Sequence, residues 1–143
     1  MAYTTTPYAT SEEVREVLER FESCKFAKDE FHHREHLTVV MCFILEATEE
    51  EAMARMRAGL LRFLEHHATL NAYHETITRF WIKRVGLFLD EADKTRPRLA
   101  LANDLIEVCG NARLIDTYFS AERLASEEAR RKWADPDLQP IGS

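Results

Sequence analysis

Four of the six histidines fall where helical periodicity turns them toward a core: His33, His36, His67 and His74. Two sit in Phe31-His32-His33-Arg34-Glu35-His36-Leu37, and one opens Tyr73-His74-Glu75-Thr76. Imidazole is the side chain most used for metal ligation and for proton transfer near neutral pH. Burying several is costly unless a metal, a ligand or a hydrogen-bond network satisfies their nitrogens. The pattern points to His33, His36 and His74 as ligands of one divalent transition metal: Zn, Fe, Ni or Cu. Glu75 would orient a ligand or move a proton, and Arg34 would steer an anionic substrate from the rim. Glu30 is a second carboxylate within reach of the same role. His67, at the end of a helix, suits the helix dipole and reads as structural. His32 and His66 read as solvated surface residues.

Those side chains need helices to gather them. The chain has four glycines and four prolines, and long stretches are rich in Glu, Ala, Leu and Arg. Alternating strand-like runs are missing, so the expectation is an all-α, mostly up-and-down bundle of five to six helices. Helix 1 starts at a Ser11 cap and carries Val14, Val17, Leu18 and Phe21 at three-four spacing. Residues 24–31 form a linker whose Phe26 and Phe31 tuck inward. Helix 2 spans about 32–47, with His33 and His36 on its apolar face and Arg34 and Glu35 on the other. Thr48 and Glu51 form a capping box for helix 3, which runs to about residue 67. Helix 4 begins near 72 and aligns His74 with Ile77, Trp81, Val85 and Phe88. Thr95-Arg96-Pro97 opens helix 5 and Cys109-Gly110-Asn111 closes it. A shorter helix passes through Leu114, Ile115 and Tyr118, and a last turn or two starts at Ser126. Short connections between helices 2, 3 and 4 favour antiparallel neighbours. The start of helix 2, the end of helix 3 and the start of helix 4 then share one end of the bundle.

At 143 residues, 1–143 reads as a single domain with a flexible stretch at 1–10 and a C-terminal clasp at 120–143. The net charge of -6, with no basic run, argues against nucleic acid as a partner. The first residues lack the basic and apolar regions of a signal peptide, and no apolar run reaches membrane-spanning length. Cys24, Cys42 and Cys109 are odd in number and widely spaced, which fits reduced thiols in the cytoplasm. G-x-S-x-G, phosphate-loop and dinucleotide-binding fingerprints are absent.

Four strings recur together: Phe31-x-His33-Arg34-x-His36-Leu37, Tyr73-His74-Glu75-Thr76-Ile77-Thr78, the run from Tyr118 to Arg130, and Pro136-Asp137-Leu138. In this combination the chain, from about 26 to 140, resembles a widespread family of small all-helical bacterial proteins that has no established activity. The resemblance implies that His33, Arg34, His36, His74, Glu75 and Thr76 are the family's motif positions. It supplies no chemistry. Three readings stay open: a small metalloprotein, a metal-free pocket for a small molecule or for acid–base work using the imidazoles and Tyr73, and a non-enzymatic interaction module. The closing segment reads either as a lid over the bundle or as a pair of N-caps at Ser120 and Ser126.

Overall fold

The computed structural model describes residues 6–142. The chain is all-α, and the described residues contain no strand. Five long helices form the body: α1 (Ser11–Glu22), α2 (His33–Glu46), α3 (Glu49–His66), α4 (Glu75–Asp90) and α5 (Arg98–Cys109). Two short helices, α6 (Ala121–Ala125) and α7 (Glu127–Arg131), close the chain. Single 3-10 segments at Leu70–Ala72 and Ala112–Thr117 make the turns before α4 and after α5. No described helix is long and apolar enough to cross a membrane.

Helix starts follow local chemistry. Thr10, one residue before the expected Ser11, caps α1 by accepting from the Glu13 amide, and the Glu13 carboxylate returns to the Thr10 amide. Thr48 and Glu51 make the expected reciprocal box at α3. Helix 5 starts later than Thr95 suggests: Thr95 is held by Asp93 in a turn, and Pro97 precedes the first helical residue, Arg98. Proline there gives up no needed donor, which favours the later start. Cys109 ends α5 as expected, and Asn111 caps the 3-10 turn that follows.

Helix α2 is the axis of the molecule. Leu37, Val39, Val40, Met41, Cys42 and Phe43 are all buried, so the helix is apolar all round rather than on one stripe. It packs against α1, α3, α4 and α5. Glu35 is also buried, contrary to its expected outward placement. It accepts from the His32 amide and pairs with Arg34, so the first turn of α2 satisfies its own orphan donor with a charged group. Phe26 and Phe31 tuck in as the linker reading expects, each within 5.5 Å of another aromatic centroid.

Of the expected flexible stretch 1–10, residues 1–5 lie outside the described residues, and the end of it is packed. Tyr8 is buried, its hydroxyl 2.7 Å from Thr38 Oγ1, and it exchanges two backbone bonds with the Asn103 side chain. The C-terminal segment is pinned to α4. Ser120 and Ser126 cap α6 and α7, and Asp137 accepts from the Ser120 amide and hydroxyl. The fully buried Thr76 hydroxyl donates to Lys132 O at 3.0 Å and accepts from the Ala134 amide at 3.1 Å.

Two substitutions test this packing. Thr76→Val takes the hydroxyl partner from the Lys132 carbonyl and from the buried Ala134 amide and is expected to cost about 1–3 kcal/mol. A methyl at Gly59 would overlap the Phe21 ring, which Phe31 and Phe43 hold in place. Gly59→Ala is therefore expected to lose about 1–3 kcal/mol despite the better helix propensity of alanine. Urea unfolding followed by circular dichroism reads both.

Candidate functional site: an apical cavity beside His36

Where the start of α2, the end of α3 and the start of α4 converge there is a cavity of about 240 Å³. Phe31 and His36 face it from the α2 side, and Leu60, Phe63 and Leu64 from α3. Tyr73, His74, Ile77 and Thr78 close it from the α4 side. This is the end of the bundle at which the sequence expects the histidines to meet. They meet there only in part.

His74 does not ride on the face of α4 but caps its start. Its Nδ1 accepts from the Ile77 amide at 3.1 Å, so the neutral ring carries its proton on Nε2. That Nε2–H donates to Leu124 O at 2.7 Å, and both nitrogens are thereby committed. His33 turns away from the cavity. Its Nε2 donates to Cys109 O at 2.9 Å, and its ring packs edge-on against Trp81 with centroids 4.6 Å apart. Burial holds its pKa below the usual histidine value, against the opposing pull of the Cys109 carbonyl.

His36 is different. Neither ring nitrogen has a hydrogen-bond partner among the described residues, and no fully buried side-chain nitrogen or oxygen there is orphaned. Its nitrogens therefore open onto the cavity. Burial, with the neighbouring His33 ring 6.3 Å away, pushes its pKa down to about 3. At neutral pH it is an uncharged imidazole with one donor and one acceptor.

The single metal centre expected from His33, His36 and His74 is not assembled in this arrangement. His74 commits both ring nitrogens to the backbone and His33 its Nε2, and His33 does not line the cavity. Among the described residues, no group of three or more His, Cys, Asp or Glu is placed to hold a metal ion.

The two expected catalytic residues also part company. Glu75, largely buried, receives Arg57 Nε at 3.0 Å and Nη2 at 2.5 Å, and the Tyr73 hydroxyl at 2.6 Å. Burial favours its neutral form, but the Arg57 and Tyr73 hydrogen bonds outweigh this and hold the carboxyl below its usual range. Burial, with the hydrogen bond to Glu75, raises Tyr73 to about 12. Glu75 stands behind Tyr73 at the cavity wall and does not line the cavity. Arg34 lies in another place, on the α1 side of α2, stacked 4.4 Å from the Tyr8 ring centroid and bound to Glu35. Glu30 is there too, paired with Arg20.

His67 caps the end of α3, and its Nε2 donates to Phe26 O at 3.1 Å, a structural role. His32 and His66 are exposed. Sequence reasoning missed Arg57 and Thr78. Nothing local in the sequence flags Arg57, whose partner is 18 residues away. Thr78 belongs to a set of buried threonines with Thr38 and Thr76, polar residues on otherwise apolar helix faces. That set was a readable signal.

No protein-family model, curated protein or solved structure matches this chain. The site must be read from its own chemistry.

His36 and His33 both have folded pKa values below the ordinary 6.5. The unfolded chain thus binds more protons than the folded one below pH 6.5, and stability falls as pH drops through that window. His36→Phe removes one such proton. Its urea midpoint is expected to decline less steeply than wild type between pH 6.5 and about 4; parallel curves would contradict a buried neutral His36.

Proposed function

We propose that the apical cavity binds a small neutral organic molecule, with an apolar body and one hydroxyl or N–H group, and that His36 is its principal hydrogen-bonding partner. The observation that carries this reading is the pair of unpartnered His36 nitrogens at a cavity otherwise walled by Phe31, Leu60, Phe63 and Leu64. An apolar pocket with a few convergent polar groups is the common form of a ligand site. The cavity, about 240 Å³, is smaller than a drug-sized pocket and matches a single ring or short chain.

The open polar atoms narrow the class. The Tyr73 hydroxyl gives its proton to Glu75 and the Thr78 hydroxyl gives its own to His74 O, so both face a ligand as acceptors. His36 adds one donor and one acceptor. No lysine or arginine lines the cavity, so a carboxylate or phosphate would enter without a counter-charge. A ligand that brings a proton to share is favoured.

Binding is favoured over acid–base catalysis. An imidazole at about 3 is too weakly basic to take a proton efficiently at neutral pH. Glu75, the other candidate base, is held ionised by Arg57 and already accepts from Tyr73. Free thiols at Cys24, Cys42 and Cys109 support a reducing, cytoplasmic setting for this role.

Phenol, benzene and benzoate serve as probes, with binding read by calorimetry and by the histidine ring signals in NMR. Phenol is expected to bind more tightly than benzene and benzoate, and His36→Phe to weaken it by about tenfold or more. Equal phenol affinity in His36→Phe would overturn the reading. Stoichiometric zinc binding that requires His33, His36 and His74 together would replace it with the metal centre.

A further inference from the structure

Thirteen of the fourteen arginines have a hydrogen-bond or ion-pair partner among the described residues. Arg84 has none, although it is half-buried on α4. No fully buried side-chain nitrogen is left unpartnered among the described residues, so the Arg84 guanidinium keeps an open face that a carboxylate or other anion can take.

Arg84 lines a cavity of about 590 Å³ between α4, α5 and the chain's closing residues, a volume in the range of small-molecule sites. The cavity does not include the apical residues around His36. Leu87, Phe88, Val108 and Ile141 supply apolar wall. Val108 is 52% exposed, apolar surface that the fold leaves wet. Tyr118 lines the same cavity, and its hydroxyl also has no partner among the described residues. Its donor and the Arg84 fork suit a planar oxyanion, while the wall suits a hydrocarbon body.

The remaining charges set the limit on ligand charge. Arg96 and Asp104 neutralise each other at the rim. Glu91 and Asp93 are exposed, also at the rim, and would repel a second negative group. One negative charge, placed at Arg84, is what the cavity can accept.

We infer that this cavity is a second ligand site, which takes an amphipathic monocarboxylate with its carboxylate on Arg84 and Tyr118 and its hydrocarbon part on Leu87, Phe88 and Val108. It is independent of the apical site and of opposite preference: the apical cavity disfavours anions and this one requires an anion.

The test is calorimetry at low salt with 4-methylpentanoate and its neutral analogue 4-methylpentan-1-ol. The acid is expected to bind and the alcohol to bind at least about tenfold more weakly. Arg84→Gln is expected to weaken the acid by about tenfold or more, and Arg84→Lys, which keeps the charge but not the fork, by less. Circular dichroism establishes that each variant is folded. Equal affinity for acid and alcohol, unchanged binding in folded Arg84→Gln, or no binding of the acid up to about 10 mM would each overturn the inference.

Discussion

The start of α4 depends on one neutral imidazole with both nitrogens in use. His74 accepts the Ile77 amide on Nδ1 and donates from Nε2 to Leu124 O. The first bond settles one of the orphan donors of a helix N-terminus. The second ties the helix to the end of α6. Two residues on, Thr76 makes the matching pair of bonds to Lys132 and Ala134. The His-Glu-Thr run is thus a clamp for the C-terminal segment, and its middle residue, Glu75, is turned to Arg57 on α3. Fixing α4 at this end also fixes Tyr73, Ile77 and Thr78, and with them one wall of the apical cavity.

A histidine serving as cap and clamp is withdrawn from ligation, and this divides the inward imidazoles by role. His33 holds the end of α5 through Cys109 O, His67 holds the linker through Phe26 O, and His74 holds α6. Three separate elements are fastened by ring N–H bonds to backbone carbonyls. His36 alone of the four stays unspent. Its nitrogens open onto the apical cavity, and burial of the ring holds its pKa down. Arg84 likewise has no partner among the described residues and opens onto a cavity, with a charge instead of a dipole. Unspent polar groups in a fold that otherwise satisfies its buried ones are where ligands are expected.

Much of the architecture was legible because helix chemistry is local. Apolar spacing, the Thr48–Glu51 box and the caps at Ser120 and Ser126 need only neighbouring residues to be interpreted. The convergence of α2, α3 and α4 at one end followed from short connections, and the cavity lies there. The errors arose where a polar side chain chose between two geometries. On a helical wheel His74 belongs to the core stripe of α4. As the cap it lies just outside the helix, and its ring folds back onto the first turn. Glu35 looks outward by periodicity, yet buries itself by bonding to the His32 amide and to Arg34. Partners such as Cys109 for His33, 76 residues away, or Leu124 for His74, 50 away, leave no trace in local pattern. The sequence located the inward imidazoles. It could not tell which of them the backbone would claim.

Long-range ¹H–¹⁵N NMR of the histidine side chains at neutral pH is the most direct measurement. His33 and His74 should each show a single Nε2–H tautomer with a slowly exchanging, hydrogen-bonded proton. The His36 ring should be neutral, with a ring proton that exchanges readily. If instead the rings of residues 33, 36 and 74 shift together on adding one equivalent of zinc, the division into two fastened rings and one free ring is wrong.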